Sequence, residues 1–476
     1  MRVRVTPGYK LIRFINVTFD VKMRLTYMKI KSAVLLLAIH LGWAQQPPST
    51  PLVFGQDTLD LGQKPIMLSE VVVGNSTLSA EELVMAAKEV MSATQQLSMA
   101  DLELLYFMRH SELNDIDVDF KLKKTTVDAV DDDFIARAAQ GIPKQSSSHT
   151  EALYRLAFND TAKVNVSTQL VRGFQLEDES TKVETKDIEE FFLKEIERSL
   201  EASHYFKIKS GIFGAKVRED DIDLDDFREI KDSLRSDSIT EASLQKRQQW
   251  QSAAGYQRAT EMARYHPHSK DPVIAVFEKP KRFDFQLIDY TLFRDQWVHV
   301  VAFKEKSKAE FYGELWISEE DKGLLQFKFV NNKPLQSINL LGFTYREPRV
   351  QGQYFYKKID DKGYRFYFGR LEQDTEVGVD RPLSFIEKRK AFIGGRKVNR
   401  IDLDIHFALN QTEEYTYILK GIEPVDPSVQ GEKTLTVLEQ PESYPTDFWK
   451  DTEFTIAPSE AMRSFQLSKT SKQGER

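Results

Sequence analysis

The sequence contains no cysteine at all. This absence excludes a thiol nucleophile, a thiolate metal ligand, an N-terminal lipid-modified cysteine and any disulfide bond. Only apolar cores can therefore hold the chain together, and 476 residues with 41% hydrophobic side chains are ample for one or more such cores.

Long apolar runs are also absent, with one short exception at Ala33–Ile39. This run is far shorter than the roughly 20 residues that cross a bilayer. It follows Lys29 and Lys31 and precedes the small residues Gly42 and Ala44, which together are the three parts of a secretory signal. The pattern predicts an exported protein that is cleaved near Ala44 and then has no transmembrane helix.

The signal begins inside the chain, so residues 1–27 are interpreted as an upstream extension. The translation start is left open between Met1, Met23 and Met28. The alternative is a cytoplasmic N-terminus followed by a buried helix, but such a helix seldom has both flanking features of a signal.

Clusters of positive charge are missing from the body of the protein. Residues 1–44 hold eight Lys or Arg and one Asp, which leaves 66 − 8 = 58 basic and 73 − 1 = 72 acidic side chains, a net charge of −14. Nucleic-acid binding needs clustered Lys and Arg. The sequence therefore predicts no nucleic-acid partner.

No catalytic motif is present, neither a Gly-x-Ser-x-Gly elbow nor a His-Glu-x-x-His helix nor a glycine-rich phosphate loop. We predict no catalytic residue and no cofactor. A hydrolase of unrecognised type remains the alternative, assembled from dispersed side chains such as His299, His406, Glu151 and Glu314.

One acidic stretch has the spacing of a calcium loop. Asp221, Asp223 and Asp225 occupy positions 1, 3 and 5 of such a loop. The sixth position is Asp226, where the loop needs Gly, and the twelfth is Asp232, where it needs a bidentate Glu. These departures favour an acidic solvated connector, and no metal is predicted.

Two histidines at His266–His268 flank a proline, which is typical of a turn. With no third ligand nearby in the sequence, we interpret this segment as a surface loop rather than as a metal clip.

The period of the apolar residues predicts an α+β fold, in which a curled antiparallel β-meander packs against helices. Ser79 and Glu82 form a capping box that starts a helix. The segment after it alternates apolar and polar side chains at Ile116, Val118 and Phe120, as in a half-buried strand. The predicted organisation is a leader over 1–44, an extended lead-in over 45–67, an N-terminal α/β region over 68–180, a mainly helical charged segment over 181–271, the meander over 272–420 and a loose polar tail over 421–476.

Within the helical segment, residues 204–227 are predicted to form an irregular connector, with Gly211 and Gly214 as breakers.

Aromatic side chains are dense in the first half of the meander. They are either packed core or the lining of an apolar cavity, and core is favoured because packed cores are commoner. The candidates for the cavity lining are Phe285, Trp297, Phe303, Tyr312, Trp316 and Phe327.

Several short segments, among them Leu68–Val73 and Phe107–Arg109, resemble exported proteins of Gram-negative bacteria that contain a carboxypeptidase-like regulatory domain. A later segment, Gly313–Ile317, resembles the strands of lipoprotein-carrier-like half-barrels. The resemblance implies an N-terminal sandwich domain of about a hundred residues. Only Leu52–Val73 stands in its place, so most of that domain is missing here.

The sequence thus predicts a non-enzymatic protein of the cell envelope, in the periplasm or on the periplasmic face of the outer membrane. It is expected to bind an outer-membrane protein or an apolar ligand in its curled sheet. The alternatives are the hydrolase, acting on envelope peptides or glycans, and a structural component associated with the outer membrane.

Overall fold

The structure is a computed structural model. It describes residues 78–95, 102–127, 130–140, 142–159, 165–177, 204–210, 213–217, 241–306, 310–340, 342–359, 363–389, 396–424, 436–450 and 457–465. The predicted leader, the lead-in, Leu68–Val73 and the acidic stretch with Asp221, Asp223 and Asp225 lie outside these residues.

Four α-helices are described: α1 (Ala80–Gln95), α2 (Asp132–Gln140), α3 (Glu241–Ala263) and α4 (Glu460–Ser464). The predicted capping box is confirmed, because Glu82 Oε2 accepts from the Ser79 N–H at 2.7 Å and Ser79 Oγ accepts from the Glu82 N–H at 3.3 Å. None of the helices in the described ranges combines the length and the apolar content that a membrane crossing requires.

In the described ranges, fourteen strands form one sheet. They are β1 (Leu102–Thr125), β2 (Gln145–Asn159), β3 (Asn165–Glu177), β4 (His204–Ser210), β5 (Phe213–Val217), β6 (Phe283–Phe293), β7 (Gln296–Glu305), β8 (Tyr312–Ser318), β9 (Leu324–Val330), β10 (Ser337–Leu340), β11 (Phe343–Arg346), β12 (Val350–Lys358), β13 (Tyr364–Arg389) and β14 (Arg396–Pro424). A short 3-10 helix, Pro280–Arg282, precedes β6.

The sheet is antiparallel, and its main path runs β3-β2-β1-β14-β13-β12-β9-β8-β7-β6. The part of the chain that the structure describes is therefore mostly antiparallel sheet with few helices. The sheet is open rather than curled, since its end strands β3 and β6 are not neighbours. It also extends beyond the predicted meander, because β1 pairs with β14 from Leu102 opposite Pro424 to Thr125 opposite Ile401.

The strand β13 organises one side of the sheet. On one side it pairs with β14 along most of its length. On its opposite side it pairs in succession with β12, β11 and β4. The strands β4 and β5 occupy part of the predicted irregular connector, so that prediction is wrong for residues 204–210 and 213–217. The strand β4 pairs with β13, which lies far away in the sequence. The local sequence of β4 therefore could not predict this pairing.

The two faces of the sheet are packed differently. On the inner face, α1 and α3 cover the main core, and aromatic rings such as Phe327, Phe329 and Tyr354 are fully buried there. Close packing of β8 on β9 requires glycine at Gly313, where an added Cβ would lie 1.9 Å from the Lys328 carbonyl oxygen.

The outer face of β3 is covered by the C-terminal part of the chain. Phe448, Met462 and Phe465 pack there around Phe174, whose ring centroid is 4.9 Å from that of Phe448. The predicted loose tail is thus wrong for residues 436–450 and 457–465. Its few apolar residues are widely spaced between Pro, Glu and Ser, so they form no local period.

Candidate binding surface

The far ends of the long strands β1, β13 and β14, together with the hairpin β10–β11, form what we call the distal ribbon. Directly opposite residues in antiparallel strands point to the same face, and so do residues two positions apart along one strand. The register therefore defines two parallel rows on the inner face. The first is Ile338, Tyr345, Val377, Leu409 and Ile116, and the second is Leu340, Phe343, Val379, Phe407 and Val118.

The outer face of the distal ribbon is polar instead. Its residues include Asp115, Asp117, Asn339, Thr344, Arg346, Glu376, Asp380, His406 and Asn410. Arg346 Nη1 lies 2.8 Å from Glu376 Oε2, and His406 Nε2 lies 3.9 Å from Asp117 Oδ2. The ribbon is therefore amphipathic, with one face suited to water and one to apolar contact.

Cover over the apolar rows is uneven. At the β1 end, α2 lies against the strand, and Ile142 packs on Ile116, so both side chains are less than a tenth exposed. At the β10 end, Ile338 is 52%, Leu340 63% and Phe343 49% exposed. These three residues form the apolar patch. Isolated exposed apolar residues are ordinary, but adjacent ones that continue a buried row indicate an interaction site.

A polar belt separates the apolar rows from the main core on the inner face. His110 Nε2 lies 3.2 Å from Glu413 Oε1, which also accepts from the Tyr415 hydroxyl at 2.9 Å. Next to them, Glu112 accepts from Asn114 and Gln411. Burial lowers the pKa of His110. This belt of hydrogen-bonded polar side chains separates the apolar rows of the distal ribbon from the main core.

The six aromatic cavity candidates do not share one surface. Phe303 and Phe327 stack in the buried core with Phe285 beside them, whereas Tyr312 and Trp316 point to the outer face. Trp297 is 51% exposed and stacks on Tyr290. The apolar patch lies elsewhere, on β10 and β11.

The side chains suggested for a hydrolase are far apart. His299 on β7 and His406 on β14 are separated by five strand spacings of about 4.8 Å each. Glu151 is buried, and it accepts from Arg109 Nε at 2.7 Å and from Trp449 Nε1 at 2.6 Å. Glu151 thus holds the C-terminal segment on the sheet.

A serine and a histidine that the sequence did not single out lie side by side on the outer face. Ser111 Oγ is 2.8 Å from His149 Nδ1, but both residues are buried, so no substrate can reach the hydroxyl. Burial, with the nearby His110 and Arg109, lowers the pKa of His149 to about 4. The pair is a neutral packing contact at neutral pH.

The surface loop predicted at His266–His268 is instead packed inside the protein. His266 is buried, with Nδ1 2.8 Å from the Tyr356 hydroxyl and its ring against Phe366. Burial and the neighbouring His268 hold the pKa of His266 well below its usual range. The prediction failed because the turn at Pro267 lies under the aromatic side chains of β12 and β13. Within the described ranges, no three His, Asp or Glu side chains are grouped as metal ligands.

Glu414 of β14 is a titratable group on the outer face. It lies directly opposite Glu372 of β13. Burial, followed by repulsion from Glu372, raises its pKa from 4.5 to about 7. Between these two pH values the folded protein binds more protons than the unfolded chain, so stability falls as pH rises through that window.

We expect the melting temperature of the wild type to fall more steeply between about pH 5 and about pH 8 than that of Glu414→Gln, which cannot ionise. Thermal unfolding by circular dichroism across this range measures the difference. Glu423→Gln, an exposed glutamate on the same strand, is the control and should follow the wild type. Identical slopes for all three proteins would contradict the assignment.

Comparison with known proteins adds little. No family model and no curated protein matches this chain. One similar solved chain comes from the complex of MucA and MucB of Pseudomonas aeruginosa. It is 8% identical with a TM-score of 0.15, and the alignment covers 73% of this chain and 99% of that chain. A TM-score this low carries no argument about fold or function.

Proposed function

We propose that this protein is a non-enzymatic binding protein of the cell envelope, which takes an apolar ligand or partner on the apolar patch of the distal ribbon. The observation that carries the proposal is the pair of apolar rows that cross five strands and end exposed at Ile338, Leu340 and Phe343. Removing such side chains from water is favourable by about 25 cal/mol for each Å² buried.

Two further points support this proposal. The serine, histidine and acidic side chains described above are buried or distant from one another, which favours binding over hydrolysis. The predicted export signal and the resemblance to exported proteins of Gram-negative bacteria favour the periplasm or the periplasmic face of the outer membrane, where an outer-membrane protein is available as a partner.

Titration with a dansylated fatty acid, followed by dansyl fluorescence, tests the proposal. Phe343→Lys places a charge in the middle of the apolar patch and should weaken binding about tenfold or more, equivalent to about 1.4 kcal/mol. The matched control is Thr344→Lys, because Thr344 is the next residue of the same strand and points to the polar outer face.

The expected order is equal affinity for the wild type and Thr344→Lys, and weaker affinity for Phe343→Lys. Circular dichroism of each variant checks that the sheet is intact. Equal binding by all three proteins, or no binding by the wild type, would overturn the proposal.

A further inference from the structure

The strand β10 is an open edge of the sheet. It pairs with β11 on one side, and no described strand pairs with its other side. All four of its residues are exposed. Natural edge strands are usually protected by charge, proline, a bulge or a covering element, because an open row of N–H and C=O groups recruits further strands.

The sequence around this edge has no charge. The twelve residues Pro334–Tyr345 include no Asp, Glu, Lys or Arg, although 29% of the whole chain is charged. A strand that approaches β10 therefore meets no charged side chain of the hairpin itself that would lose its hydration or repel it. A cation lies nearby on β13, where Arg381 Cζ is 5.0 Å from the centroid of the Phe343 ring, one strand behind the open edge.

The hairpin geometry identifies which main-chain groups are free. Gly342, at φ +79°, directly precedes β11, and its carbonyl oxygen accepts from the Asp380 N–H of β13 at 2.8 Å. The main-chain groups of successive residues in a strand point to alternate neighbours. Because Gly342 bonds to β13, Phe343 bonds to β10, where Leu340 is its partner. Ile338 therefore also bonds to β11, while the N–H and C=O of Asn339 point outward from the sheet.

We propose that a second copy of this chain pairs with β10 in antiparallel fashion, around a two-fold axis at Asn339. The two Asn339 residues then exchange both N–H···O=C hydrogen bonds. Ile338 of one copy lies opposite Leu340 of the other, so each apolar row continues from one copy into the next. The inference rests on the proposed function, since it names the partner of the apolar patch and extends its surface from five strands to ten.

A second copy satisfies this edge better than an unrelated strand. Antiparallel pairing of identical strands is self-complementary, so one contact closes the symmetry and ends the assembly at a dimer. The copy also supplies an edge with the same lack of charge and the same alternation. The contact is small, so the dimer is weak and concentration-dependent, as interfaces below about 1,200 Å² are.

Sedimentation velocity of the full chain, from about 1 µM to about 500 µM, tests the dimer over the range of weak association. Two variants at one position separate the main chain from the side chain. Asn339→Ala retains the outward N–H and should dimerise like the wild type. Asn339→Pro lacks it and should remain monomeric, and proline is tolerated where an edge N–H faces solvent.

A third variant, Asn339→Lys, tests the dimer without proline, in case proline itself disturbs the hairpin. It places two like charges directly opposite each other across the axis, and its side chain lies on the polar face. We expect a monomer at low salt, with fatty-acid binding retained.

A wild type that stays monomeric at every concentration overturns the dimer, as does Asn339→Pro or Asn339→Lys that associates as strongly as Asn339→Ala. Growth beyond dimers also overturns it. The fatty-acid titration gives a separate readout. If the wild type binds the fatty acid but does not dimerise, the proposed function is retained and the dimer is overturned. If it dimerises but does not bind the fatty acid, the dimer is retained and the proposed function is overturned.

Discussion

Glu151→Ala is expected to lower the free energy of unfolding by about 3–5 kcal/mol, which is among the largest effects of any single substitution in this protein. Glu151 is fully buried, and its carboxylate accepts from both Arg109 and Trp449. Removal of the carboxylate leaves the Arg109 guanidinium, whose side chain is 11% exposed, without the carboxylate that it contacts. It also frees Trp449, so the C-terminal segment should separate from β3 before the sheet unfolds.

Urea denaturation measures the loss, and tryptophan fluorescence reports the release of Trp449. Asp404→Ala is the control, because its ion pair with Lys123 is about half exposed and such pairs contribute at most about 1 kcal/mol. A Glu151→Ala protein as stable as Asp404→Ala would show that the buried contacts are not formed in solution.

Phe327→Ala is expected to cost about 3–5 kcal/mol, as truncation of buried aromatic residues does. Phe327 is fully buried on the inner face, with its ring centroid 5.6 Å from that of Phe303 and 5.1 Å from that of Phe329. The cavity left by the lost ring lies in the centre of the core, where neighbouring strands restrict collapse. Equilibrium unfolding in urea gives the value.

The comparison variant is Trp297→Ala. Its ring is half exposed and stacks on Tyr290 at 4.9 Å, so we expect a loss of about 1–2 kcal/mol. Both residues are aromatic cavity candidates by sequence, and the difference between them separates packing from surface exposure. A smaller loss for Phe327→Ala than for Trp297→Ala would argue for a loosely filled interior around Phe327.

Features that depend on neighbours in the chain could be predicted from the sequence. The capping box of Ser79 and Glu82 needs only a spacing of three residues, and it starts α1 where expected. The alternation at Ile116, Val118 and Phe120 predicted a strand with one apolar face, and these side chains pack together beside Ile142.

Features that depend on distant partners could not be predicted. The apolar patch is an example, because each of its rows takes only one residue from each of five strands. The four residues of β10 form no period long enough to recognise. The signal that was available is the uncharged run Pro334–Tyr345, which is uncommon in so charged a chain. Likewise, His266 is buried by β12 and β13, which lie some ninety residues further along the chain.

The central position of β14 has a consequence for how the protein is made. Leu102 pairs with Pro424, so strands from the two ends of the chain adjoin in the middle of the sheet. More than two hundred residues separate the end of β3 from the start of β14. During synthesis, β1 can therefore pair with β2 early, but its pairing with β14 forms only after these residues have emerged. Contacts so distant in sequence form slowly. A polypeptide with this connectivity completes its sheet only after β14 has been synthesised and has inserted between β1 and β13.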